Sequence, residues 1–425
     1  MCEKSSHRSA WCSLLVLAGM TSVVAGNGFR LVSQDAFAAA RGEAFAATAD
    51  NPAAIHYNPA GLTQLAGHQL RAGSYGLFFD PTFRPPEGGG NAGMRYEIDR
   101  KFAVAPQLFY TYSSVARPVT FGVGVYSPYG AAVAWPDATG FRSVATEGEL
   151  MYVRINPVVA VEVLPGLSLA GGIMIDHGDI GLEQGLLRNA QPFANRFRFE
   201  GDDVSLGFNL GVLWEVNPCW SLGATLRSGT TMDFGGKTKI EQQPFIQATS
   251  LGASAEFEFP LTAVLGVSWR PNEQWNFEVN ADWTQWSSLG TVTIEQDGAP
   301  PFPVQQDIPV TLDWKDSWIL KFGVTRYFGE GWRVSAGYVF NENSVPTDFY
   351  APTVADLDRH ILAIGVGRET EDFQWDVTYQ FGSGPDREVN GSAPGSTPAL
   401  FQNQNADGTY DFVSHALLVS AGWRF

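Results

Sequence analysis

A period-two alternation of apolar and polar residues, repeated from Gly67 to the last residue, constrains this chain more than any other feature. Trp275, Phe277, Val279, Ala281 and Trp283 alternate without exception with Asn276, Glu278, Asn280 and Asp282. Phe373, Trp375, Val377, Tyr379 and Phe381 repeat the pattern, as do Trp332, Val334, Ala336, Tyr338 and Phe340. Leu206, Phe208, Leu210, Val212 and Trp214 make a further apolar face, and the odd positions from 257 to 269 make another. Successive side chains of a strand point to opposite sides, so each segment is a strand with one apolar and one polar face. Such a face meets either a second sheet, as in a soluble sandwich, or lipid, as in a transmembrane barrel.

Two patterns favour lipid. Strand ends carry aromatic residues, among them Trp214, Trp220, Trp269, Trp275, Trp283, Trp286, Trp318, Trp332 and Trp375, which is how barrels mark the two membrane interfaces. The connections also alternate in length. Short turns fall at residues 113–118, 164–166, 217–219, 270–274, 328–331 and 369–372. Between them lie long polar segments at 80–101, 136–148, 185–202, 235–252, 287–313, 342–358 and 382–411. This rhythm predicts an all-β, transmembrane antiparallel β-barrel of about fourteen strands, with short turns in the periplasm and long loops outside. Leu417, Val419, Ala421, Trp423 and Phe425 share the last apolar face. A closing strand ending on Phe425 resembles the sorting signal read by the outer-membrane barrel assembly machinery.

The front of the chain differs. Lys4 and Arg8 precede a short apolar stretch at 11–25 that ends on the small residues Val23 and Ala25, so residues 1–25 read as an export signal. No apolar run reaches the roughly twenty residues of a membrane helix. Residues 26–67 hold Ala-rich pieces closed by Asn51-Pro52 and Asn58-Pro59, each too short to stand alone as a helix. They predict a small N-terminal helical hatch ahead of a barrel at 68–425. The chain is 17% charged and 13% aromatic, where about 25% charged is usual for soluble domains. Its net charge of −17 argues against nucleic acid. Beyond the signal only Cys219 remains, so no intrachain disulfide forms.

Three further blocks stand out. The first runs from Gly28-Phe29 to the stretch Thr48 through Leu62. The second is Gly122, Val123, Gly124, Val125, Tyr126, Ser127, Pro128, Tyr129 and Gly130. The third extends from Asp313, Trp314 and Trp318 through Gly337-Tyr338 and Val345-Pro346 to Asp356 and His360. Together they resemble the FadL family of outer-membrane transporters for long-chain fatty acids and other hydrophobic compounds. The resemblance implies a fourteen-stranded barrel closed by the hatch. Hydrophobic molecules would be captured outside, held in an internal apolar pocket, and released sideways through the wall of a monomer set in lipid and lipopolysaccharide.

Candidate site residues follow. Asn58, Pro59, Ala60 and Gly61 suit a turn, because Pro fixes φ and Asn bonds its own backbone. They either brace the hatch, as in the family, or simply end a short helix. Pro128 cannot donate to a ladder, so Pro128, Tyr129 and Gly130 mark a kink, read as a lateral exit with a simple bulge as the alternative. Phe29, Phe37 and Phe45 are ligand candidates, with hatch packing as the competing reading. Phe29 leads, since the family uses its extreme N-terminus near the pocket. Glu278, Asp282 and Asp376 read as a solvated polar wall, and Arg30, Arg41 and Lys321 as cations for a cargo carboxylate. Arg359 and His360 read as one polar cluster beside Asp356 and Asp358. The stretch from Asn403 to Gly408 has half the pattern of a calcium loop and lacks its bidentate Glu, so no metal or cofactor is expected. His56, His68, His177, His360 and His415 sit in no catalytic motif. A transporter is therefore expected rather than an enzyme, with a general diffusion porin as the alternative.

Overall fold

The computed structural model describes residues 27–88, 91–99, 101–114, 118–186, 195–241, 248–301, 304–354, 356–394 and 404–425. The expected signal at 1–25 lies outside the described residues, as does Asn403 of the calcium-like stretch.

Fourteen antiparallel staves close into a barrel. In chain order they are Gly67–Arg84, Phe102–Ser113, Val119–Tyr126 with Gly130–Ala134, Glu147–Leu164, Leu167–Gly185, Arg196–Asn217 and Trp220–Arg227 with Thr230–Ile240. The second half comprises Thr249–Phe259 with Thr262–Asn272, Trp275–Thr284 with Thr291–Gln296, Asp307–Thr311 with Ser317–Tyr327, Trp332–Asn341, Arg359–Glu369, Phe373–Ser383 and Gly408–Arg424. Hydrocarbon offers no partner to a backbone amide, so a lipid-embedded sheet must have no edge. Closure is made by the first and last staves, which pair from Gln69↔Arg424 to Arg84↔Thr409 without a slip. The six short turns fall where the sequence rhythm puts them, whereas the staves reach into the expected long loops, with Thr291–Gln296 and Asp307–Thr311 lying inside the one at 287–313.

The alternation sorts as a barrel requires. Leu362, Ile364 and Val366, like Leu417 and Val419, face outward and are exposed, whereas Ala363, Leu418 and Ser420 on the opposite side are buried in the lumen. Trp214, Trp220, Trp269, Trp332 and Trp423 ring the short-turn end. Two expectations are corrected. The odd positions from 257 to 269 do not share one face: the eighth stave breaks at Pro260 and Leu261, so Phe257 and Phe259 turn into the lumen while Leu265, Val267 and Trp269 meet lipid. A one-residue irregularity swaps faces because the side-chain period is two. Trp286 is likewise no girdle residue; it is fully buried inside the barrel, on the short helical turn Trp286–Ser288.

Residues 27–66 fill the lumen. They include the helices Ala36–Ala40 and Ala54–Tyr57 and the 3-10 turn Pro59–Gln64, nearly all buried. Asp35 caps the first helix, accepting from Phe37 N at 3.1 Å and Ala38 N at 3.2 Å. The backbone of this segment lies directly on the wall. A Cβ on Gly337 of the eleventh stave would sit 2.0 Å from the Gly42 nitrogen. Gly337→Val should therefore unseat residues 41–43 and cost about 1–3 kcal/mol. The expected result is a lower temperature for the gel shift between folded and heated barrel, while a nearby lipid-facing Ala336→Val changes it little.

Candidate ligand cavity and wall window

A cavity of about 140 Å³ lies in the upper barrel, with Phe29 on its hatch side. Leu150, Ile180, Phe197, Phe257, Ile294 and Trp314 are among the apolar side chains that line it. Phe29 sits in an aromatic box, with ring centroids 4.8 Å from Trp286, 5.3 Å from Trp314, 5.5 Å from Phe257 and 5.9 Å from Tyr129. Asn27 fixes the segment's start: its side chain accepts from Trp286 Nε1 at 2.6 Å and donates to Ser317 Oγ at 2.8 Å, and its backbone N–H donates to Asp356. At the extracellular rim, Glu147, Glu149 and Glu183 face Arg196 and Arg198. Phe83, Trp135, Phe141, Tyr350 and Tyr410 pack together above.

Beside this box the wall is interrupted. The second and third staves pair from Ser113↔Thr120 up to Leu108↔Val125 and no further. Above that level Gly130–Ala134 pairs only with the fourth stave, beginning at Gly130↔Met151. Asp99 N to Ala134 O, 3.0 Å, closes the top of the window. Residues 126–133 are buried on both sides, so the kinked strand has moved off the lipid face into the barrel. The hatch supplies the ladder that the second stave does not: Leu31 N donates to Pro128 O at 2.8 Å, Gly130 N to Phe29 O at 2.9 Å, and Gln34 Nε2 to Ser127 O at 2.7 Å. Phe29, Pro128, Tyr129 and Gly130 are thus brought into one assembly.

Phe37 and Phe45 are placed elsewhere. They meet each other at 5.7 Å, and Phe45 meets Tyr57 at 5.4 Å, in a separate hatch core. The Arg333 guanidinium lies 4.2 Å from the Phe37 ring centroid. Asn58 accepts from Ala60 N at 3.2 Å and donates to Ala46 O and to Val212 O of the sixth stave. Pro59 opens the 3-10 turn, Ala60 is fully buried, and a Cβ on Gly61 would fall 2.2 Å from Ala49 O.

The expected solvated wall is instead a set of buried ion pairs, because the hatch occupies the space that water would fill. Asp282 binds Arg30 through both oxygens, at 3.0 and 3.1 Å, and Lys321 at 2.7 Å. Glu278 takes Arg41 at 3.3 Å, Thr48 Oγ1 at 2.5 Å and Ala47 N at 2.8 Å. Asp376 holds Arg71 at 2.8 Å and Arg333 at 2.9 Å, and Arg71 continues to Asp35. The three cations expected to await a carboxylate are therefore already engaged. Arg359 and His360 also part company: Arg359 lies 3.6 Å from the Phe412 ring centroid inside, and His360 bonds Tyr338 outside. Sequence reasoning missed the roles of Arg71 and Arg333, which join at Asp376 from positions 305 and 43 residues away.

Glu43 joins three parts of the hatch and wall. It accepts from Ser33 Oγ at 2.6 Å, Tyr57 OH at 2.5 Å and Gln380 Nε2 at 3.3 Å. Burial pushes its carboxyl up to about 7, against which these bonds act. A carboxyl whose folded value is raised contributes stability below its unfolded value, here 4.5, and loses it as pH climbs through about 7. Hatch amides should show higher protection factors, after correction for base-catalysed intrinsic exchange, at pH 5 than at pH 8, and Glu43→Gln should remove the difference. Asp282→Ala should cost about 3–5 kcal/mol, since it leaves two buried cations unpaired; urea melts of the folded barrel would measure it.

A family model described as outer membrane protein transport protein (OMPP1/FadL/TodX) matches residues 17–425. A long-chain fatty acid transport protein of Escherichia coli O6:H1 is 21% identical over 419 residues, covering 89% of each chain. Among solved structures, a Pseudomonas aeruginosa FadL homologue superposes with a TM-score of 0.79 at 17% identity, over 94% of this chain and 100% of that one. The Pseudomonas putida toluene transporter TodX gives 0.71 at 15% identity, over 93% and 99%.

Proposed function

The chain belongs to the outer membrane protein transport family OMPP1/FadL/TodX, and from that premise we propose that its cargo is captured beside Phe29 and leaves sideways at Pro128, Tyr129 and Gly130. As a member it is an outer-membrane barrel that transports hydrophobic compounds. A lumen packed with residues 27–66 disfavours a general diffusion pore. The observation that carries the lateral route is the missing register above Leu108↔Val125, adjacent to the Phe29 box. An apolar solute that moves from cavity to lipid never has to re-enter water, which would cost about 0.8 kcal/mol per exposed CH₂.

The cavity volume bears on the cargo. About 140 Å³ is close to the roughly 150 Å³ of an engineered apolar cavity that takes benzene. In its closed form it holds one aromatic ring or the end of an alkyl chain, and longer cargo fits once Phe29 leaves its box. A second reading, cargo with a carboxylate, is favoured by Arg227. This side chain is buried beneath the box with its Nε lacking an acceptor, while Asp282 occupies Arg30 and Lys321.

On this reading residues 1–25 are the export signal, 26–67 the hatch and 68–425 the wall. Asn58, Pro59, Ala60 and Gly61 hold the hatch in place. The protein acts as a monomer within lipid and lipopolysaccharide, needs no cofactor and catalyses no reaction. Phe425 is its handle for the assembly machinery. The test is uptake of labelled toluene and of a long-chain fatty acid by a transport-deficient bacterium expressing the protein. A second strain carries Pro128-Tyr129-Gly130 replaced by a regular strand sequence. Saturable uptake lost in the replacement is expected. Sugar leakage in both strains with no hydrophobic uptake would overturn the reading.

A further inference from the structure

The wall has a second interruption, between the sixth and seventh staves. Their register stops at Gly235↔Asp202 and resumes at Asn209↔Arg227, eight steps along one stave against seven along the other. Ser228 N to Phe208 O, 2.9 Å, closes the lower lip, and Asp233 N to Asp203 Oδ2, 2.8 Å, the upper. Residues 204–207 between them have no ladder partner on the seventh stave. A simple bulge leaves one residue unpaired. Here four are unpaired, and the hydroxyls of Ser205 and Thr230 are buried at the gap without a hydrogen-bond partner.

The level of the gap is set by its outer face. Val204 and Leu206 are 58% and 70% exposed. Beside them the seventh and eighth staves present Thr231, Asp233, Glu256 and Glu258. Hydrocarbon therefore gives way to headgroups at this height.

Behind the gap the lining is apolar and soft. Met174 and Met232 are fully buried. The Met174 methyl lies 2.7 Å from where a Cβ on Gly207 would be, and the Met232 sulfur 2.8 Å from where one on Gly178 would be. Met232 thus reaches past the sixth stave to the fifth. Methionine has three free rotors and repacks readily. From there Phe234 meets Phe257 at 6.4 Å, and Phe257 both lines the cavity and meets Phe29.

We propose that this gap is a lateral inlet through which small apolar molecules already dissolved in the outer leaflet pass Met174 and Met232 into the cavity. The inference rests on the transport reading above and gives it a second opening. Apolar solutes concentrate in the leaflet, so an inlet at its upper boundary draws on the richest local source.

Initial uptake of labelled toluene by cells carrying Met232→Trp tests it, with gel mobility of the unheated barrel confirming assembly. A several-fold fall is expected for Met232→Trp, and none for Met232→Ala. Unchanged uptake in assembled Met232→Trp overturns the inlet. Unchanged uptake in the Pro128-Tyr129-Gly130 replacement overturns the transport reading instead. Should Met232→Trp fail to assemble, Met232→Cys in a Cys219→Ser background serves. A membrane-soluble maleimide should label it in outer-membrane vesicles and a charged one should not. Labelling by neither reagent, or equally by both, counts against the inlet.

Discussion

Backbone amides in hydrocarbon have only one another for partners, and everything in this molecule follows from how the wall meets that demand. The first and last staves close it without a slip. Against so complete a ladder, a missing rung is informative in a way it would not be on a soluble sheet. Where the second and third staves part, the hatch backbone steps in as a substitute strand through Phe29, Arg30 and Leu31. The window is therefore covered by a segment that is not part of the wall.

The hatch is held by charge as well as shape. Wall carboxylates at 278, 282 and 376 each take hatch or wall cations in a dry interior. Such pairs add little net stability compared with an apolar core, but breaking one is costly. Their effect is to fix position. The ring of Phe29 is aimed at the cavity because the adjacent Arg30 is clamped to Asp282 by two bonds.

Much of this was legible in the residue order. Alternation located the staves, connection lengths gave their number and direction, and Pro128 marked the kink. What escaped notice did so for identifiable reasons. Phe257 and Leu265 belong to one unbroken alternation, and only the irregularity at Pro260 sends them to opposite faces. Asp282 could be placed in the lumen by parity, but its partner Arg30 lies 252 positions away. Phe29, Phe37 and Phe45 look alike in sequence; the difference is that Trp286 and Trp314 surround only the first. A hatch inside a barrel meets the wall through residues distant in sequence, so that packing is the part that local pattern reveals least.

The filled lumen has a consequence for the cell that carries it. A wall this wide, if hollow, would pass ions, sugars and small hydrophilic antibiotics. With its interior packed by residues 27–66, this barrel serves hydrophobic compounds without presenting a wide water-filled hole. An organism can make many copies to feed on scarce hydrophobic nutrients and keep its outer envelope tight against dissolved toxins.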